Sequence, residues 1–258
     1  MFQRFFILAL FLTALTIFGY DAGTLMTAEE ESRLALEAKT PEEATAHLDT
    51  AITLYETAGQ EGLANAAFFG NLGSLYLRKG DLGRAILNLK KGLLFAPRDP
   101  RLQADLNQAR QLRADHFAEE PPSGVLPTLA FFHYDFGYPL RVNLAIGTWI
   151  GFLLTALWLL WRRPLWLCAL AVFLGIAALL FGSSAAITAY DLKQNTPAVI
   201  TAQETLPRKG DGEAYTPATS APLHAGTEIT VHRTRGEWSY ATLPGGIPAW
   251  IKTADLAK

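Results

Sequence analysis

Hydrophobic positions follow three regimes along this 258-residue chain. They are nearly continuous over Phe5–Phe18, Val142–Trp161 and Leu165–Tyr190; they recur every three or four residues through 28–115; beyond Tyr190 they alternate with polar ones. Each of the two later continuous blocks exceeds the ~18–20 apolar residues that cross about 30 Å of hydrocarbon. Neither contains Asp, Glu, Lys or His, and neither shows a polar face. Only Arg162, Arg163 and Pro164 separate them, so transmembrane helices at 142–161 and 165–190 are expected to form an antiparallel hairpin around a turn at 162–164. The first block follows Arg4 and exits through Gly19-Tyr20-Asp21-Ala22-Gly23. A basic start, an apolar core and a small-residue exit describe a secretory signal, yet Tyr20 stands where a cut after Ala22 prefers a small residue. Residues 1–23 therefore read as a signal peptide or a retained N-terminal anchor, and either carries the following segment across the membrane.

Arginine placement orients the hairpin. Cytoplasmic loops are enriched in Lys and Arg, which puts Arg162 and Arg163 inside with Arg4, and both large polar segments, 24–139 and 191–258, outside. Arg141, at the outer end of the first span, runs against this, but it is one arginine against two in a tight turn. Phe131, Phe132, Tyr134, Phe136 and Tyr138 make 117–141 a linker with an interfacial aromatic segment, while Trp158, Trp161 and Trp166 flank the turn. Such aromatics are expected at both bilayer interfaces. Gly147 and Gly151 form a G-x-x-x-G, read either as a helix–helix packing site or as the ordinary glycine of membrane helices. Cys168 lies deep in its apolar block and reads as a small apolar residue.

Through 28–115 the three-and-four spacing predicts helices. Thr40-Pro41-Glu42-Glu43 is an amino-terminal cap with proline in the first turn, and Ala44, Leu48, Ala51, Ile52 and Tyr55 share the face that follows. Another helix begins near Ala66, turns at Lys79-Gly80-Asp81 and returns to Phe95; Pro100 starts a further helix with Leu102, Leu106, Ala109 and Leu112 on one face. Paired helices at a period of about 34 to 40 residues indicate a solenoid. Phe69, the Leu72-Gly73 pair, Tyr76, the Gly80-Asp81 turn, Ala85, Leu89 and Pro97 fall at offsets that resemble a tetratricopeptide repeat (TPR). That resemblance implies Gly73 and Ala85 at a helix crossing, packed round by Phe69, Leu72, Tyr76 and Leu89. Gly92, where alanine is usual, and Leu89, where an aromatic is usual, depart from it. A clear repeat is thus expected at 66–99, a degenerate one at 25–58 and a capping helix at 100–116, together a TPR domain at 24–116.

Charge is uneven within this segment. Glu29 to Glu61 carries nine acids against Arg33 and Lys39, and Gly62 to His116 carries nine bases against four acids, −7 beside +5. Two solvated faces or a dipolar docking surface would each produce that pattern. TPR clamps for peptide carboxylates use lysine and asparagine on the inner helix, where this chain has Gly70 and Ser74, so the resemblance does not imply chaperone-tail binding.

Beyond Tyr190, period-two alternation predicts strands at Ala198–Ala202, Glu228–His232, Trp238–Thr242 and Pro248–Ile251, separated by glycine-rich turns. Leu223-His224-Ala225-Gly226-Thr227, Gly236-Glu237-Trp238, Leu243-Pro244-Gly245-Gly246 and Ala249-Trp250-Ile251 resemble the bacterial SH3-like (SH3b) domain, which implies a small all-β barrel at 191–258. Ala249 replaces the family's usual glycine, and Leu206–Asp211 replaces its usual opening loop, which puts a family cell-wall ligand in doubt. Trp238 and Trp250 are expected as barrel core or as a ligand platform.

Composition narrows the function. With 24 acidic and 22 basic residues, a formal charge of −2 and 18% charged residues against 50% hydrophobic, the chain has no basic footprint for nucleic acid. A lone cysteine excludes an internal disulfide framework, and His47, His116, His133, His224 and His232 lack metal-ligand spacing. Nucleotide-binding, metalloprotease and nucleophile-elbow motifs are absent. No enzyme activity and no cofactor are expected. Taken in order, the fold class is a multidomain membrane protein: an α-helical TPR array, a two-helix transmembrane hairpin and a small SH3-like barrel. That order resembles the BatE-like proteins of the bacterial aerotolerance (Bat) group. The resemblance implies a non-enzymatic scaffold of the inner membrane, with both modules periplasmic, and partners among membrane von Willebrand-A-domain proteins and a MoxR-type ATPase system. A peptidoglycan-binding sensor is the alternative.

Overall fold

The computed structural model describes residues 22–117, 130–162 and 164–258. The expectations for 1–21 and for Arg163 lie outside the described residues. The chain is mostly helical, with a small antiparallel sheet at its carboxy-terminal end.

Helices α1 (Ala22–Glu37), α2 (Pro41–Gln60), α3 (Ala66–Lys79), α4 (Leu82–Phe95) and α5 (Pro100–Leu112) follow one another through short turns. Helices α2 to α5 each begin on a side-chain cap. Thr40, Asn65 and Asp81 accept the backbone N–H of Glu43, Phe68 and Arg84, and Asp99 accepts those of Arg101 and Leu102. Gly80, at φ 84°, closes α3 in the left-handed conformation. One core joins α1, α2 and α3 through Ala28, Ala51, Tyr55, Leu72 and Tyr76; a second gathers on α4 and α5 through Ile86, Leu89, Leu102 and Leu106. The second core also takes in Val199 and Ala257 from the sheet, so array and sheet share buried apolar surface.

Helix α5 stops at Leu112, short of the expected 116, because Arg113 turns extended (φ −70°, ψ 150°). The expected linker at 117–141 carries helix among its described residues. It holds the short helix α6 (Phe131–Asp135), and helix α7 (Tyr138–Leu159) begins inside it, with proline in its first turn. Helix α8 (Leu165–Gln194) outruns the expected 190 by one turn, ending just before Thr196, whose following proline disfavours helix. Both α7 and α8 are long and apolar enough to cross a membrane. They pack along each other, and most of their large apolar side chains, Trp149, Leu154, Trp158, Phe173 and Leu179 among them, are exposed.

The sheet runs in the order β6-β5-β4-β1-β7, with β1 (Thr196–Ile200), β4 (Glu228–Arg235), β5 (Trp238–Thr242), β6 (Pro248–Lys252) and β7 (Leu256–Ala257); β2 (Glu204–Thr205) and β3 (Leu223–His224) pair separately. All these pairings are antiparallel, and the register shifts between Val231 and Arg233. Strand β1 ends at Ile200 rather than Ala202 because the amides of Thr201 and Ala202 turn to the Asp255 carbonyl. Alternation along β5 and β6 points Ala241, Ala249 and Ile251 into the sheet's own core with Val231 and Leu243.

Candidate functional site

The residues marked out by the repeat pattern meet where α3 crosses α4. A Cβ on Gly73 would lie 2.7 Å from Leu89 Cγ, and Ala85 and Leu89 are fully buried. Leu72 and Tyr76 are buried beside them, and the Tyr76 hydroxyl donates to Glu56. Burial and that carboxylate both push the Tyr76 phenol upward. Phe69 is only half-buried, edge-on to Phe68 at 5.0 Å and tilted against Phe95 at 5.7 Å, while Phe68 fills the core. Pro97 uses its carbonyl to accept Gln103 Nε2 at 2.7 Å. Gly70 and Ser74 face α5: a Cβ on Gly70 would meet Leu102 at 2.6 Å, and Ser74 Oγ donates to Asp105 at 2.6 Å.

Sequence reasoning missed the seam between array and sheet. Glu228, the first residue of β4, extends its carboxylate into the base-rich half of the array. Lys90 Nζ donates to Oε2 at 2.6 Å, Arg110 grips both oxygens at 2.8 and 3.0 Å, and Arg113 Nη1 reaches Oε1 at 3.2 Å. Burial alone would raise the Glu228 carboxyl, but the hydrogen bond from Arg110 and the charge of Lys90 outweigh it and hold it at about 2. Asp115 does the reverse, reaching from the array to accept the His224 N–H and the Thr227 hydroxyl, both at 2.7 Å. Burial opposes ionisation of Asp115; the His224 N–H, Thr227 and the His224 ring overcome it and lower its pKa. Backbones approach closely here. A Cβ on Gly83 would sit 2.6 Å from the Ile200 carbonyl oxygen, and Gly226, at φ +92°, lies against Arg113, Ile86 and Leu82. The only sequence signal was the unexplained +5 of 62–116, part of which this seam consumes.

Of the two tryptophans, Trp250 is buried and Trp238 half-buried. Trp250 packs on Tyr240 with ring centroids 5.3 Å apart, and the Arg233 guanidinium covers both rings at 5.0 and 5.3 Å. The G-x-x-x-G resolves asymmetrically. A Cβ on Gly151 would meet Leu174 of α8 at 3.3 Å, whereas Gly147 faces open space. Of the two, Gly151 lies at the contact between α7 and α8, and Gly147, four residues earlier, does not.

Where α7 begins, α8 ends and α4 passes, a cavity of about 530 Å³ opens. Gly137 lies so close to α4 that a Cβ would overlap the Phe95 carbonyl, and Arg98 pairs with Asp135 at 2.6 Å. Arg141 forms the cavity's buried polar wall. Its Nη1 donates to Ser184 Oγ at 2.8 Å, to Thr188 Oγ1 at 3.0 Å and to His133 Nδ1 at 3.0 Å. Burial and then the Arg141 charge lower the His133 pKa, which suits a neutral ring whose Nδ1 accepts. Arg141 read from sequence as a minor exception to orientation; its partners on α8 lie more than forty positions away and no local pattern pairs them. Among the described residues no group of three or more His, Cys, Asp or Glu is placed to hold a metal ion.

Compared with protein-family models and with curated proteins, the chain matches none.

Proposed function

We propose that the chain is a non-enzymatic, membrane-anchored scaffold, with α7 and α8 crossing the bilayer as a hairpin and a TPR-like array and SH3-like barrel displayed together on its outer face. The carrying observation is α4. It packs on α3 and α5 within the array, on β1 and β7 of the sheet, and on α7 at the start of the hairpin. Array and sheet therefore attach at the same end of the hairpin and form one continuous surface, sealed by Glu228 and Asp115. The apolar surface that α7 and α8 leave exposed supports the membrane reading, since water would penalise it at roughly 25 cal/mol per Å². Arg162 at the far turn supports a cytoplasmic position for that end.

The strand order and the short 3-10 turn at Thr253–Asp255 before β7 support the SH3-like reading. Inner-groove residues Gly70 and Ser74, already engaged by α5, support partners other than a free peptide carboxylate. The resemblance to BatE-like proteins points to von Willebrand-A-domain membrane proteins and a MoxR-type ATPase system as those partners.

Two measurements test this. Topology reporters fused after Lys258 and inserted in 24–116 are both expected to read extracytoplasmic, and a cytoplasmic signal from either overturns the orientation. Cross-linking of the full chain in its native membrane is expected to yield von Willebrand-A-domain partners. Saturable retention of the full chain by isolated peptidoglycan, without such cross-links, would favour the cell-wall sensor instead.

A further inference from the structure

Arg141 presents an unusual account of its hydrogen bonds. Its side chain is 5% exposed, yet every bond it makes to described residues comes from Nη1, and every acceptor is neutral: His133, Ser184 and Thr188. Its Nε is buried with no hydrogen-bond partner. The neighbouring carboxylates are engaged elsewhere, Asp135 by Arg98 and Asp191 by Asn195. A buried guanidinium without a carboxylate is costly, and this one lines a cavity, where a phosphate or carboxylate oxygen would be a charge-assisted partner for it.

The surroundings define what would meet it. The 530 Å³ cavity carries apolar walls from Leu93, Leu94, Ile187 and Tyr190, a volume within the range of ordinary ligand sites. Ile187 and Tyr190 are also exposed on the outside of α8, so the cavity opens toward the apolar surface of the hairpin. It lies in the first turn of α7 and the last turns of α8, where the apolar blocks give way to polar chain. Asp191, which also lines it, stands three residues beyond Thr188, about 4.5 Å further along the helix axis. A deep cation, a shallower anion and an apolar exit reproduce, in mirror charge, a zwitterionic phospholipid. A free anion would leave the apolar walls unused.

We propose that this cavity holds one phospholipid of the surrounding leaflet, its phosphodiester against the Arg141 guanidinium, the ammonium of an ethanolamine headgroup toward Asp191, and its acyl chains leaving over Ile187. This rests on the membrane reading above.

The test is native mass spectrometry of the full chain released from nanodiscs containing phosphatidylethanolamine, phosphatidylglycerol and diacylglycerol. One retained phospholipid per chain is expected, with ethanolamine preferred over glycerol and little diacylglycerol. Arg141→Gln is expected to cut retention about tenfold, the loss of a charge-assisted pair. Ile187→Trp, which keeps Arg141 and obstructs the exit, is expected to do the same, while Asp191→Asn removes the headgroup preference. Circular dichroism confirms that each variant is folded. Undiminished retention in both Arg141→Gln and Ile187→Trp, equal retention of diacylglycerol, or displacement of the lipid by millimolar inorganic phosphate would overturn the proposal. Carbonate extraction separates the two readings: release of the chain from membranes overturns the membrane reading itself, whereas a membrane-retained chain that holds no lipid overturns this inference alone.

Discussion

Arg110 meets Glu228 side-on across the seam between helices and sheet, Nε to Oε1 at 2.8 Å and Nη2 to Oε2 at 3.0 Å. The carboxylate is mostly buried, at 14% exposure, so the pair is shielded from the screening that makes surface ion pairs nearly worthless. Lys90 completes the cluster from α4. One acid thereby fastens two helices of the array to the first residue of a strand more than a hundred positions away.

Replacing that acid with its neutral isostere isolates its contribution. Glu228→Gln keeps the shape but leaves Lys90 and Arg110 facing each other without the anion between them. A loss of about 3 kcal/mol is expected, the scale of breaking a buried ion pair. Chemical denaturation of the detergent-solubilised chain measures it, and a change below about 0.5 kcal/mol, typical of neutral surface substitutions, would show that the seam does not depend on Glu228.

The same residue predicts a pH window. Its carboxyl is held at about 2 in the folded chain against an ordinary 4.5, so the unfolded chain binds the proton first as pH falls. Stability from Glu228 is therefore complete above about pH 5 and drains away between there and pH 2, by about 3 kcal/mol in total. Asp115, also lowered, acts in the same direction. Thermal melting from pH 6 to pH 3 is expected to fall more steeply for the native chain than for Glu228→Gln; parallel curves would contradict the assignment.

At the α3–α4 crossing, Gly73→Ala places a methyl 2.7 Å from Leu89 Cγ and 3.2 Å from the Leu89 backbone nitrogen. Overpacking of this kind costs about 1–3 kcal/mol. Trimming the neighbour with Leu89→Ala in the same chain makes room, so the double variant is expected to lose less than the sum of the singles. Denaturant midpoints of the three variants decide the point, and strict additivity would place the glycine's role elsewhere.

The two glycines of α7 separate cleanly. Gly151→Leu drives a side chain into Leu174 and is expected to lower the melting temperature of the solubilised chain. Gly147→Leu adds an apolar side chain to an open face and is expected to leave it unchanged. Equal sensitivity at both positions would restore a shared seam.

Much of the local structure was legible because its causes are local. The cap at Thr40, the turn at Lys79-Gly80-Asp81 and the periodicities of 3.6 and two each act within a few residues. Gly73 was legible as a crossing through the resemblance to a tetratricopeptide repeat, which implies a small residue there. Element ends were less so. Leu112 and Ile200 end their elements because Arg113 and Thr201 have distant partners, and the start of α7 inside the linker brings Gly137 against the Phe95 backbone.

By itself the sequence determined the three kinds of element, their order and the two apolar helices, since hydrophobic periodicity and uninterrupted length are properties of contiguous residues. Tertiary structure alone decided that array and sheet are fastened together by Glu228 and Asp115, that Gly151 and not Gly147 meets α8, and that Arg141 lies buried against Ser184 and Thr188 with its Nε unpartnered. Those outcomes depend on charges and backbones brought together from positions tens to more than a hundred residues apart, where desolvation turns an ordinary acid or arginine into a fixed point of the fold.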